Sequence, residues 1–388
     1  MTMIKDTASL AALCEALASE RFVTVDTEFL RDSTYWPRLC LVQVAGSNGP
    51  YAIDPLADGL SLDPLFDLFA NPAVIKVFHA ARQDVEIFYH LTGKIPAPLF
   101  DTQIAAMVCG FGDQVGYEQL VRAIANKKLD KSSRFTDWAR RPLSDRQLTY
   151  ALADVTHLRV IFEDLETRLA KSERTEWVVE EKATLTDPAT YDLDPEASWR
   201  RIKMRSNDPA FRTRVQALAA WRERRAQEKD LPRNRVIRDD AILEIAASKP
   251  SDVEGLRRIR GLSDGHAKGR WGQEILEALT TARTAPPPAS NGPKERIQLT
   301  DKQLAIVDLL KVLLKARSAS SGVAPKLLAT SADLEAIAHT DGRGGADSQI
   351  PALSGWRAEI FGNEALALTR GEIGLTVGKS KIETVPLS

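Results

Sequence analysis

Two carboxylates stand two positions apart in Val25-Asp26-Thr27-Glu28-Phe29, inside an apolar, β-branched run that begins at Phe22. A strand alternates its side chains, so Asp26 and Glu28 project from one face while Val23, Val25 and Thr27 project from the other. Neighbouring anions repel unless a cation lies between them, and a hard divalent ion such as Mg2+ takes carboxylate oxygens. The same pair also occurs as two surface acids without chemistry. Other acids bear on the choice. Asp84 follows Val77-Phe78-His79-Ala80-Ala81-Arg82-Gln83. The apolar run ends at Phe78, small residues permit a tight turn, and Asp84 falls in the first turn of a helix, where the macrodipole favours an acid in any case. Tyr150 and Asp154 are four apart on a helix opened by the capping-box pattern Ser144-Asp145-Arg146-Gln147 and striped by Leu148, Leu152, Val155 and Leu158. That spacing puts them on one face. They read either as part of a site or as a phenol hydrogen-bonded to its neighbouring carboxylate.

The elements that must position these residues alternate over the first 170 positions. Strand patterns at 22–29, 39–45, 51–53 and 74–78 are interleaved with helical spacing at 62–69 and 82–90, and Gly46-Ser47-Asn48-Gly49 marks a turn. This predicts an α/β domain with a mixed sheet and helices on its faces. From Leu143 onward nearly every periodic segment is helical. Asp187-Pro188 and Asp194-Pro195 bracket a connector, and 285–293 is a proline-rich linker. The helical segments on its two sides follow one order: a long helix, a Pro-containing loop at 231–237 or 323–329, an apolar helix and a glycine turn. Two duplicated small helical domains are expected.

The chain has 388 residues, more than one ordinary core accommodates. No apolar run approaches the roughly 20 residues that span a bilayer, and the first residues lack the pattern of a secretory leader. Cys14, Cys40 and Cys109 are widely spaced among apolar neighbours, which suits reduced thiols in a cytoplasm better than a disulfide framework. The net charge of −1 averages unlike parts, because residues 200–283 carry 20 Lys and Arg against 12 Asp and Glu. A basic segment joined to an acid-bearing one suggests a polyanionic substrate, and equally a solvated helical surface.

In order and spacing, the Asp-x-Glu strand, His79-Ala80-x-x-x-Asp84 and Tyr150-x-x-x-Asp154 resemble the DEDD exonuclease superfamily in its tyrosine-bearing branch. Phe100-Asp101-Thr102-Gln103, Leu129-Asp130-Lys131-Ser132 and Thr136-Asp137-Trp138 narrow the resemblance to the bacterial ribonuclease D family. The basic helical unit resembles the helicase-and-ribonuclease-D C-terminal (HRDC) domain, and the segment past the linker a divergent second copy. The resemblance implies a ribonuclease H-like exonuclease domain at 1–170, a helical connector at 171–205, an HRDC domain at 206–285, a linker at 286–295 and a second all-α HRDC-like domain at 296–388. It implies two divalent ions, Mg2+ or Mn2+, with Asp26, Glu28 and Asp154 on one, Asp26 shared, and Asp84 supporting the other. Tyr150 would position the attacking water, since a phenol with a pKa near 10 is a poor base. The expected activity is 3′→5′ hydrolysis of RNA to nucleoside 5′-monophosphates in maturation of precursor-tRNA 3′ ends, by a cytoplasmic monomer without membrane partners.

Other readings are open. The same site serves DNA in relatives, and a nucleic-acid-binding protein with an inactive nuclease fold is a third class. Asp101 reads as a helix N-cap and His79 as a packing or hydrogen-bonding residue. Phe29 packs at the strand end or wedges against the terminal base. Lys127, Lys128, Lys131 and Arg134 either contact the RNA backbone or form a solvated loop.

Overall fold

The computed structural model describes residues 3–130, 136–204, 206, 208–288, 298–343 and 349–387. Lys131, Arg134 and most of the expected linker lie outside them. Six strands form a mixed sheet: β1 (Met3–Ile4), β2 (Phe22–Leu30), β3 (Arg38–Gly46), β4 (Gly49–Ile53), β5 (Ile75–Phe78) and β6 (Leu99–Asp101), in the order β1-β4-β3-β2-β5-β6. The β2-β3-β4 meander is antiparallel, while β5 and β6 run parallel to β2. Helices α1 (Thr7–Leu17), α2 (Asp63–Ala70) and α3 (Arg82–Thr92) cover the face that carries Val23 and Val25. The opposite face receives the 27-residue helix α5 (Asp145–Lys171), which packs along α4 (Thr102–Val108). The expected capping box at Ser144 and Gln147 opens α5.

A second core is built around Trp199, Val215, Leu218, Trp221, Ile242 and Ile275, with α6 (Pro209–Glu228) as its spine. It is fastened to the loop that follows β2. The amides of Tyr35 and Trp36 both donate to Asp230, at 3.0 and 2.9 Å. The buried Tyr35 hydroxyl donates to Glu223, which Arg233 also pairs. Trp36 lies flat on His90 near the end of α3, ring centroids 3.8 Å apart. The loop between strand β2 and strand β3 thus ties a helical unit to β2 and α3, two of the three elements that carry candidate acids.

The third core gathers Leu310, Leu313, Ile337 and Phe361 under the helix Asp301–Ser321. The expectation of an all-α unit here is corrected. The chain ends in an antiparallel hairpin, Ile373–Val377 with Ile382–Pro386. Alternating β-branched residues around Gly378-Lys379-Ser380-Lys381 favour that turn over a helix. Arg317 anchors the hairpin through Thr384, at 3.0 Å.

This unit meets the first along a tight backbone seam. Ala324 N–H donates to the Met107 carbonyl at 2.9 Å, and Arg174 reaches the Ser321 carbonyl at 2.8 Å. Gly110 has φ +84°, and a Cβ there would stand 2.4 Å from the Gly322 carbonyl oxygen. Gly112, at φ +101°, faces open space. Gly112→Ala is therefore expected to cost only the backbone penalty of about 1–2 kcal/mol. Gly110→Ala should lower the thermal midpoint further and enlarge the radius of gyration in small-angle scattering. Equal effects of the two substitutions would show that the seam does not hold the units together.

Candidate active site

Asp26 and Glu28 leave β2 on the face turned to α5, as period two requires. Thr24 on the same face donates its hydroxyl to the Val155 carbonyl at 2.7 Å, which fixes the helix against the strand one residue from Asp154. The result is a group in which carboxylate oxygens of Asp26, Glu28 and Asp154 all lie within 4.8 Å of one another. Just beyond Glu28 the β2–β3 register slips by one, leaving Cys40 unmatched, a bulge that interrupts the regular ladder at the site.

Asp84 comes from the other side of the sheet. Its first-turn position on α3 is as expected, and it is buried with Oδ1 accepting from Thr27 Oγ1 at 2.5 Å. Thr27 belongs to the face opposite Asp26, so Asp84 stands outside the three-carboxylate group while still feeling the Asp26 charge. The turn that aims α3 is held by Asp101, which accepts from the amides of Ala80 (3.1 Å), Ala81 (2.9 Å) and Gln103 (2.7 Å). Ala80 takes a left-handed φ of 57°, uncommon for a residue with a Cβ and maintained by this clamp. Asp101 is thus the helix N-cap expected, and it also pins the preceding turn.

Electrostatics describe a site short of positive charge. Burial raises Asp26, Asp84 and Asp154 above the usual carboxylate range, and the Asp26 charge pushes the latter two further. Among the described residues, no Lys or Arg contributes to lowering any of the three. Clustered oxygen donors whose charged forms are disfavoured by burial and by one another fit a hard divalent ion.

Tyr150 donates to the Asp154 carboxylate, so the local phenol–carboxylate contact left open by the sequence is made. Both residues line a cavity of about 460 Å3 together with Asp26, His79, Tyr117 and Leu129. His79 shares a hydrogen bond with Thr102 Oγ1 at 3.0 Å, a strand-end role. Phe29 is half-buried against the core beneath α3. Lys127 and Lys128 are exposed, and the Lys127 charge adds to burial in lowering His157, three residues beyond Asp154.

Two residues at the site escaped the sequence reading. Tyr117 donates its hydroxyl to the Asp154 main-chain carbonyl, and its ring lies 5.3 Å from that of His79. Its signal was slight, one aromatic after a glycine. Gln43 pairs across the sheet from Asp26 and is fully buried, with neither side-chain polar atom hydrogen-bonded. A lone amide in the otherwise apolar Leu39–Ala45 run was a signal that could have found it.

The folded-state pKa of each raised carboxyl lies above its unfolded value near 4. The metal-free protein therefore binds these protons more tightly when folded. That stabilisation is complete below the unfolded pKa and is lost as pH rises through the raised values. In a chelator, the melting temperature is expected to fall from about pH 5 toward pH 9. Asp26→Asn removes the anion that repels Asp84 and Asp154, so its melting temperature should be higher and its pH slope flatter. A wild-type midpoint that rises over this range would contradict the electrostatic account.

A family model described as 3′-5′ exonuclease matches residues 1–170, and one described as HRDC domain matches residues 211–279. The chain is 53% identical to ribonuclease D of Jannaschia sp., covering 98% of each protein. It is 49% identical to ribonuclease D of Acidiphilium cryptum, covering 99% of this chain and 97% of that protein. The crystal structure of Escherichia coli RNase D, described as an exoribonuclease involved in structured RNA processing, superposes with a TM-score of 0.75. That match is at 30% identity and covers 95% of this chain and 98% of the other.

Proposed function

Because the chain belongs to the ribonuclease D family, we propose that the cavity between β2 and α5 is where this 3′→5′ exoribonuclease hydrolyses the terminal phosphodiester of RNA. The observation that carries the assignment is the convergence of Asp26, Glu28 and Asp154 from a strand and a helix into one group of carboxylates. Asp26, Glu28 and Asp154 would hold a divalent ion, Mg2+ or Mn2+, with Asp84 supporting a second beside Asp26. When bound, such ions neutralise charge on the phosphate and on the departing 3′ oxygen and acidify water.

The protein's own contribution is placement. The Thr24–Val155 bond holds Asp154 level with Asp26, and the Asp101 clamp holds the turn that delivers Asp84. Tyr117, bonded to the main chain at Asp154, fills the side of the cavity next to His79. Tyr150 presents the hydroxyl that orients the attacking water, one helical turn before Asp154. The product is a nucleoside 5′-monophosphate, and each turnover exposes a new 3′ end. Precursor-tRNA 3′ ends are the proposed substrate, and a cytoplasmic monomer the proposed form, in keeping with three free thiols. Among the described residues, no helix is long and apolar enough to cross a membrane.

A 5′-labelled tRNA with extra 3′ nucleotides should shorten stepwise in the presence of Mg2+ and stay intact in a chelator. Asp26→Ala or Asp154→Ala should lower kcat by about 10³-fold or more. Tyr150→Phe should lower it by about 10²-fold with KM little changed, as expected when the water is no longer oriented. A DNA strand of matching sequence degraded as fast as the RNA would replace the ribonuclease reading with a DNA-directed one.

A further inference from the structure

Two cavities away from the catalytic pocket share a wall made of Arg201 and Arg233. The larger, about 390 Å3, is completed by Ser198, Arg222, Arg238 and the acids Asp239 and Asp240. The smaller, about 160 Å3, adds Arg31 and Arg82 from the first unit, with Glu86 and Tyr191. Arg31 directly follows β2, three positions past Glu28, and Arg82 opens α3, two positions before Asp84. The smaller cavity therefore takes residues from the ends of the two elements that bring these acids to the site, and the larger adjoins it through Arg201 and Arg233 of the second unit.

The charges along this path are only partly compensated. Arg31 is bidentate on Glu86, at 3.0 and 2.7 Å, and Arg222 pairs with Asp239 at 2.6 Å. Arg233 and, at 4.0 Å, Arg201 share the one carboxylate of Glu223. Arg82 lies over the Tyr191 ring. Among the described residues, neither Arg82 nor Arg238 is paired with an acid. Six guanidiniums thus stand against the four carboxylates of Glu86, Glu223, Asp239 and Asp240.

The larger wall also holds two buried donors without partners. Ser198 and Arg222 are 5% and 4% exposed, yet the Ser198 hydroxyl and the Arg222 Nε–H have no hydrogen-bond acceptor. A buried polar group left unpaired costs about 1–3 kcal/mol. Unpaired donors and surplus guanidiniums in one cavity call for a ligand that accepts hydrogen bonds and carries negative charge. Guanidinium forks match phosphate oxygens bidentately, and the smaller cavity takes Arg31 and Arg82 from the end of β2 and the start of α3, the elements that carry Glu28 and Asp84.

We propose that these joined cavities bind the sugar-phosphate backbone of the RNA, the larger one receiving an internal phosphodiester of the strand whose 3′ end is at the acids. The strand's presence rests on the exoribonuclease reading; the anion chemistry of the cavities does not. Arg201, with its side chain 56% exposed, and Arg238, also exposed, can be replaced with little risk to folding.

The test compares wild type with Arg201→Ala/Arg238→Ala on two substrates: an RNA of about 20 nucleotides and a mononucleotide p-nitrophenyl phosphodiester, which occupies the catalytic centre alone. The double variant should raise KM for the RNA about tenfold with kcat unchanged, and leave the ester untouched. In chelator, RNA affinity read by fluorescence anisotropy should fall by a similar factor. The slope of log affinity against log salt should become shallower by about 0.7 for each phosphate that the variant no longer neutralises. Unchanged RNA affinity and salt slope would overturn the proposal. If wild type cleaved neither substrate, the catalytic reading would fail while anisotropy still judged the track. Inorganic phosphate is the second probe. Competition by phosphate that the double variant abolishes, with no dependence of RNA affinity on strand length, would assign the cavities to a free phosphate and overturn the strand assignment.

Discussion

The repulsion among carboxylates gathered in a half-buried pocket is the constraint that the rest of this structure answers. Asp26, Glu28 and Asp154 would separate if their carriers were free to move, because burial weakens the screening that lets acids crowd on a surface. They are instead held by contacts that do not involve their carboxylates. Thr24 bonds the backbone next to Asp154, and Tyr117 bonds Asp154's own carbonyl. Asp101 spends its carboxylate on main-chain amides that set the angle of α3. Each device places an acid without using that acid's own carboxylate. The raised protonation of the three aspartates is the thermodynamic record of that choice.

Asp84 shows how local spacing can be right about position and silent about orientation. The helix start at Arg82 and the first-turn placement were legible from the small residues after Phe78. The partner was not, because Thr27 is 57 positions away in sequence and lies on the far face of the strand that carries Asp26 and Glu28. The same division runs through the whole site. The capping box at Ser144, the N-cap at Asp101 and the strand from Phe22 are local patterns, and all three stand in the structure. Gln43 and Tyr117 matter through cross-strand and helix–helix neighbours, which no window of sequence contains. The terminal hairpin was missed for a different reason. A duplicated helical order up to Trp356 suggested that the copy continued to the end of the chain, and the alternation of Ile373, Leu375 and Val377 was not read as a strand.

The helical unit after Ser206 is better described as part of the nuclease scaffold than as an appendage. Its contact with the first unit is concentrated on Tyr35 and Trp36, within the loop joining β2 to β3. Tyr35 is buried among Glu223, Gln227 and Arg233, and removing the carboxylate would strand a guanidinium in a partly dry setting. Through Trp36 and His90 the same loop touches the C-terminal end of α3, whose N-terminal end holds Asp84. Both acid-bearing elements on this side are therefore braced by one polar knot. A change in how the second unit sits must be felt at β2 and α3 before anything else.

The arrangement of arginines follows from the same constraint. Arg31 and Arg82 are close in sequence to Glu28 and Asp84, and a guanidinium inserted among the acids would relieve their repulsion. The fold prevents it for both. Arg31 is held on Glu86 by two hydrogen bonds, and Arg82 is drawn over Tyr191 toward the Thr190 carbonyl. An internal ion pair would have been the stabilising solution for the protein alone, and it would also have competed with the divalent ion proposed for the acids. Keeping the cations just outside preserves the acids' demand for a metal, and it supplies positive charge where a polyanion arrives rather than where it is cut. On the proposed reading, binding and hydrolysis fall to different residues of the same two elements, with a few positions of backbone between them.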